Sequence, residues 1–370
     1  MSSTGAQTLF LHIGRGKSGS STIQSLARDH VRFMDAAGVY CPLSVNGLPN
    51  HARLAAALCD SKHDFQSLRK LSESLQKSPH PKVFISGEAL FSLTREGMER
   101  LKRRLDGREI RILAYVRDYP SWLQSVYAQR TKRATNWLDF DAYFKSLRKN
   151  VTILPRLERW AAVFGWQSLR VRTLDPAVLV GGNLVSDVLH ALSVGGGPPK
   201  VPSLNTQPHW ITLEVQRALA IAACQSPLGK IDLPTAKITR QVVEACVAEI
   251  EPKRVNYLTH QQWRELANRY KQDMAAVGGH TGAWFPVSVE DPGERSFLPS
   301  LQAVPAAAKA AIMAKLREPD IARQFKPEIV ALLGRVLTEE DAFHPGGRVA
   351  APPPNGGRPA YARAVALPLL

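Results

Sequence analysis

Thr8-Leu-Phe-Leu-His-Ile-Gly-Arg-Gly-Lys17-Ser-Gly-Ser-Ser-Thr22 is the stretch on which the fold turns. The apolar run from Thr8 to Ile13, ended by a glycine-rich turn, suits a strand buried on both faces of a parallel sheet. Behind the turn, Ile23, Leu26, Ala27 and Phe33 recur at near-helical spacing, with the serines and Thr22 placed as caps. The stretch therefore predicts a strand, a turn and a helix.

Everything in that turn donates. Gly14, Gly16 and Gly19 let the backbone bend sharply and approach a ligand, and the unpaired N–H groups of a helix start bind phosphate-like oxygens. Lys17 adds a full positive charge, and Ser18, Ser20, Ser21 and Thr22 add hydroxyls. A nucleoside-triphosphate P-loop is the nearest pattern, but Leu11 stands where its first glycine is required. A capped helix after a Gly/Ser turn is the plain alternative.

Outward from this unit, Lys82–Ser86 and Glu109–Val116 read as further buried strands, and Leu169–Leu174 as an alternating strand nearer an edge. Helical stretches precede the first two, at about Asp64–Gln76 and Arg95–Leu105. Strands alternating with helices at this pitch imply right-handed crossovers and a parallel sheet covered on both sides. The expected fold is α/β: three layers, a parallel sheet flanked by helices. From about residue 205 the pattern becomes helical, around Ile211–Ala223, Ala236–Ile250 and His260–Val277. The expected organisation is an α/β core over 1–204, a helical part over 205–342 packed on it, and a tail over 343–370 rich in Pro, Gly, Ala and Arg.

With 370 residues, 44% of them hydrophobic and 22% charged, the chain is neither disordered throughout nor fibrous. Forty-eight Lys and Arg against 32 Asp and Glu leave a net charge of +16, which favours negatively charged partners without choosing among nucleic acid, anionic glycan, phosphorylated ligand or lipid surface. Cys41, Cys59, Cys224 and Cys246 are far apart, without metal-ligand spacing, and read as buried thiols. The start lacks a charged n-region and the run Leu9–Ile13 is too short for a signal core or a membrane span, which gives the expectation of a cytoplasmic protein.

A second constellation lies about a hundred residues on. Ile112-Leu-Ala-Tyr-Val116 runs into Arg117-Asp-Tyr-Pro-Ser-Trp-Leu-Gln-Ser125-Val-Tyr127, and Pro120 suits a first helical turn. Arg117 then stands at the carboxyl end of a strand and Ser125 within the next helix, near the sheet end where ligands bind, so that both can grip one phosphate. The competing reading is an Arg117–Asp118 surface pair and an ordinary helical serine. A magnesium-dependent nucleotide enzyme places a carboxylate at such a strand end, whereas here the terminal residue is a cation, which points to an anion site without metal.

Together the two motifs, strand-His-Ile-Gly-x-x-Lys-Ser-Gly-Ser-Ser-Thr and strand-Val-Arg-Asp-x-x-x-x-x-x-Ser-x-Tyr, resemble the sulfotransferases that take 3′-phosphoadenosine 5′-phosphosulfate (PAPS) as donor and release the 3′,5′-bisphosphate (PAP). The resemblance covers roughly residues 8–275 and implies a P-loop-like sulfotransferase fold. It implies that Lys17, Ser18, Gly19, Ser20, Ser21 and Thr22 hold the 5′-phosphosulfate, with Lys17 near the bridging oxygen and Arg15 and Gly16 further cofactor-binding residues, and that Arg117 and Ser125 bind the 3′-phosphate. Glu88, just after Val83-Phe-Ile-Ser-Gly, matches the general base of carbohydrate sulfotransferases; a solvated helix-cap glutamate is the alternative. His12 reads as structural, and His51 and His63 as weaker base candidates. The glycine-rich nucleotide-closing loop of cytosolic small-molecule sulfotransferases is absent, and Gly195-Gly-Gly-Pro-Pro-Lys200 occupies a comparable stretch, with Lys200 a loose candidate for the 3′-phosphate.

The resemblance implies in-line transfer of a sulfuryl group to a hydroxyl or amine, without a metal. Glu88 puts a glycan or glycolipid first among acceptors. The segment Thr131–Lys149 mixes cations with aromatics as an acid-bearing sugar chain would require, although a solvated amphipathic helix explains it too. The competing functions are a magnesium-dependent P-loop-type kinase and a non-catalytic anion-binding protein. No nucleic-acid module is recognisable. The helical part after 205 is assigned to the acceptor groove or to self-association as a homo-oligomer.

Overall fold

In the computed structural model, residues 7–44, 51–59, 65–105, 107–201, 207–283, 285, 289, 291, 293, 295 and 298–339 are described. In chain order the first half runs β1 (Thr8–His12), α1 (Ser20–Asp29), α2 (Val31–Ala36), β2 (Val39–Tyr40), α3 (Ala52–Cys59), α4 (Phe65–Lys77), β3 (Lys82–Ser86), α5 (Arg95–Arg104), β4 (Glu109–Val116), α6 (Tyr119–Thr131), α7 (Phe140–Leu147), α8 (Leu154–Phe164), β5 (Leu169–Thr173) and α9 (Leu184–Ala191). Helices follow alone: α10 (Trp210–Cys224), α11 (Leu233–Val247), α12 (His260–Thr281), α13 (Ala306–Arg317), α14 (Pro319–Ala322) and α15 (Pro327–Thr338).

The five strands form one parallel sheet in the order β2-β3-β1-β4-β5. Strand periodicity divides their side chains between two apolar layers. Leu9, Leu11, Val83, Ile85, Ile112 and Ala114 join one cluster with α3, α5, α6 and α8, while Phe10, Phe84, Leu113 and Tyr115 join another with α1 and α9. The three-layer α/β architecture expected from the sequence is therefore present, with β5 at an edge. The two-residue β2 at the other edge is too short to leave an alternation pattern. The likeness of Phe33 to the helical stripe of residues 23–27 misleads, because the helix breaks at His30 and α2 starts anew.

The later helices build a third cluster around α10, α11, α13 and α15. Yet Leu213, Tyr257, Leu266, Tyr270 and Met274 belong to the sheet's own cluster. Asp273 of α12 reaches the start of α8, accepting from the amides of Ile153 at 3.1 Å and Leu154 at 3.3 Å and from the Tyr119 hydroxyl. The tail expected over 343–370 lies outside the described residues. The expectation of four buried thiols is corrected: all four cysteines are free, but Cys59 and Cys224 are exposed, each at the last position of its helix.

Candidate active site

Strand order gathers the functional side chains. β3, β1 and β4 are neighbours running the same way, so Glu88, the turn 14–19 and Arg117 emerge side by side at the carboxyl end of the sheet, where open α/β sheets bind ligands.

The turn is shaped from below. The His12 ring is fully buried, its Nδ1 lies 2.8 Å from the Ser86 hydroxyl, and its Nε2 sits where a side chain on Gly14 would have to go. Only glycine permits that approach. Burial pushes the His12 imidazole down to about 3, so it stays neutral at physiological pH and serves as a wedge beneath the turn. Above it the Ser18 amide closes onto the Arg15 carbonyl at 3.1 Å, and Trp122 Nε1 of α6 donates to the Gly16 carbonyl at 2.9 Å.

Lys17 adopts φ 70°, the left-handed conformation that a side chain with a Cβ disfavours by roughly 1–2 kcal/mol. Gly19 follows at φ 82° and is itself the N-cap of α1, packed against Leu184. The serine and threonine hydroxyls thus do not cap the helix as expected. The buried hydroxyls of Ser18 and Ser20 have no partner, and none of the amides of Gly16, Lys17, Gly19, Ser20 and Ser21 meets an acceptor among the described residues. Buried polar groups are ordinarily satisfied, so unmet donors around a strained lysine at a helix start make an arrangement with the chemistry to take an anion.

Burial lowers Lys17 to about 8, with Lys132, Arg133 and Arg117 pushing the same way and Glu88 opposing them. Four neighbouring charges therefore bear on Lys17, three against its proton and one for it. Arg117 donates from Nη1 to the Ser125 hydroxyl at 2.8 Å, and burial depresses its guanidinium while Asp118 counters. Asp118 instead caps α6, accepting from the Ser121 amide at 2.8 Å. Glu88, half-buried, opens the short 3₁₀ turn that follows β3.

Other expected members stand apart. The Arg15 side chain turns inward, its guanidinium 3.1 Å from the centre of the Trp122 ring and donating to the Val151 and Asn150 carbonyls, which leaves its buried Nε without a partner among the described residues. Lys200 is exposed and meets none of the other site residues among the described contacts. His51 is buried with Nδ1 3.2 Å from the Ser86 carbonyl, and His63 lies outside the described residues. No group of His, Cys, Asp and Glu that could hold a metal ion occurs among the described residues.

No protein-family model matches the chain, and no curated protein matches it. Among solved structures, a sulfotransferase from Alicyclobacillus acidocaldarius aligns with a TM-score of 0.42 at 13% identity, over 76% of this chain and 98% of that one. A score at that level does not by itself establish a shared fold. The architecture here rests on the strand order, and the site on its own residues.

Three cations escape a reading of the sequence as site residues. Lys132 and Arg133 follow α6, and Arg240 belongs to α11; burial lowers Lys132, with Arg240 and Arg133 adding to the effect. For the first two, a Lys-Arg pair within the stretch singled out for an acceptor is a usable signal. For Arg240 there is none, since a half-buried arginine on an amphipathic helix looks like any other until the helices are packed.

Proposed function

We propose that the chain is a sulfotransferase moving a sulfuryl group from PAPS to a hydroxyl or amine of a carbohydrate or glycoconjugate. One observation carries this reading: a strained, half-buried lysine surrounded by unmet donors, with an arginine–serine pair beside it at the end of the neighbouring strand. Two anion sites on adjacent strand ends fit a donor with two separate anionic groups, and the unpaired amides and hydroxyls of Lys17–Ser21 fit the tetrahedral oxygens of one of them.

The bound donor supplies an electrophilic sulfur with a phosphate leaving group. Glu88 takes the acceptor's proton as the acceptor oxygen bonds to sulfur and the bond from sulfur to the bridging oxygen breaks. Lys17 and the amides at the start of α1 stabilise the negative charge growing on that oxygen, in a site already oriented for it. Arg117, held by Ser125, grips the second phosphate throughout and so acts on affinity more than on the chemical step.

Calorimetry with PAP and with adenosine 5′-phosphate, alongside transfer of label from PAPS to mixed glycans, tests the reading. PAP binds far more tightly, and label moves to a glycan in the presence of a chelator. Equal binding of the two nucleotides removes the second anion site and the reading with it.

A further inference from the structure

The contacts that fix the anion-binding turn lead away from it to α12. Arg15 Nη1 donates to the Val151 carbonyl at 2.5 Å and Nη2 to the Asn150 carbonyl at 3.2 Å, and the guanidinium lies 3.1 Å from the centre of the Trp122 ring. Trp122 in turn donates to the Gly16 carbonyl at 2.9 Å. The backbone just before Lys17 is thus held from two directions, by residues 150–151 and by α6.

Both supports end on one carboxylate. Ile153, the N-cap of α8, offers no side-chain acceptor to the free amides at that helix start. Asp273 of α12 supplies it: Oδ2 takes the amides of Ile153 at 3.1 Å and Leu154 at 3.3 Å, where a helix N-terminus favours negative charge. The same oxygen accepts from the Tyr119 hydroxyl, which itself accepts from the Ile153 amide at 3.0 Å. Tyr119 is the first residue of α6, two positions beyond Arg117 and three before Trp122. Its ring meets Tyr270 of α12 edge-on, with centroids 5.4 Å apart. Asp273 and Arg15 are buried, and Tyr119 fully so.

A staple between helices needs the carboxylate and its donors alone. Here the chain of contacts continues through Arg15, a desolvated cation whose donors meet only neutral carbonyls, although an apolar side chain packed on Trp122 would fill that space at less cost. Its continuation ends in the turn that carries Lys17.

We infer that Asp273 is a positioning residue of the donor site: from α12 it sets the anion-binding turn through the start of α8 and Arg15, and it sets Arg117 through Tyr119. The inference rests on the sulfuryl-transfer reading and deepens it, because it gives the helical part a share in donor binding. One oxygen then governs the spacing between the turn after β1 and the Arg117–Ser125 pair after β4. A ligand with two anionic groups at a fixed separation is sensitive to that spacing, whereas a ligand with one is not.

The test is calorimetry on the full chain with PAP and with adenosine 5′-phosphate, comparing the unaltered protein with Asp273→Asn, which keeps the shape and gives up the charge that strengthens all three hydrogen bonds. PAP binding weakens by on the order of tenfold and adenosine 5′-phosphate binding by much less. Met274→Ala removes a buried neighbour on α12 outside this chain of contacts; it lowers the melting temperature and leaves both affinities as they are. Tyr119→Phe deletes one hydroxyl and weakens PAP binding in the same direction by less, and it decides the matter if Asp273→Asn does not fold. Unchanged PAP binding in the folded variants, equal losses for the two nucleotides, or an equal loss in Met274→Ala overturns the positioning role. Failure of the unaltered protein to prefer PAP overturns the parent reading instead.

Discussion

The helical half and the carboxyl end of the sheet treat charge in opposite ways. In α10, Glu214 and Arg217 are 0% and 4% exposed, and Oε2 of the glutamate accepts from Nε and Nη2 of the arginine at 3.0 and 2.7 Å. Arg295 likewise grips both oxygens of Asp141, at 2.9 and 2.8 Å. At the sheet end, Lys17 is half-buried, with Lys132, Arg133 and Arg117 pressing on it and Glu88 opposing them. Glu214 and Arg217 neutralise each other within α10 and Arg295–Asp141 ties two segments together, whereas unpaired and partly desolvated charges weaken the fold and are of the kind kept for a ligand.

Removing one partner from the paired region has the largest expected effect. Arg217→Met leaves the buried Glu214 carboxylate without its counter-charge and lowers stability by about 3–5 kcal/mol in denaturant unfolding. Glu214→Leu combined with Arg217→Met recovers most of that loss, since an apolar pair of similar volume needs no hydration. A double variant as unstable as the single one breaks the comparison, because the ion pair is then not the cause.

At the sheet end the same kind of change has the opposite sign for stability. Lys17→Gly relieves a left-handed backbone and a desolvated charge, so the melting temperature rises while turnover falls about a hundred- to a thousandfold. Stability and activity moving apart at one residue is the signature of a position kept for function. Near-normal sulfuryl transfer by this variant removes Lys17 from the mechanism.

Arg117→Ala sharpens the contrast within the site. In the proposed role it grips a phosphate equally in the ground state and the transition state, so the donor KM rises roughly ten- to a hundredfold, for about 1.5–3 kcal/mol, while kcat changes much less. A fall confined to kcat assigns Arg117 to the chemical step rather than to donor affinity.

What the sequence reveals follows the same division. The strands are legible because burial on both faces demands continuous apolar runs, and Arg117 and Ser125 because a strand end and a Pro120 helix start fix their places. The capping of α1 is misread, since nothing local reveals that Lys17 takes the left-handed conformation and moves the cap to Gly19. Arg15 looks like a ligand-binding cation within a donor-rich turn, but Trp122 and the adjacent carbonyls of Asn150 and Val151 claim its guanidinium.

The smallest expected effect is a dependence on pH, and its sign follows from Lys17. Burial and neighbouring cations bring the ammonium from its ordinary 10.5 to about 8. In the free protein, donor capture measured as kcat/KM therefore declines as pH rises through about 8, where the lysine loses its proton. A bound anionic donor raises the same group, so the decline in kcat lies at higher pH. Lys17→Arg carries the kcat/KM limb upward because a guanidinium keeps its proton. Stability runs the other way: the folded state disfavours the charged lysine, so the penalty is fully present below about 8 and is relieved between there and 10.5. Unfolding measured across that window rises in free energy for the unaltered chain relative to Lys17→Gly, and parallel curves for the two proteins deny that Lys17 is buried among cations at all.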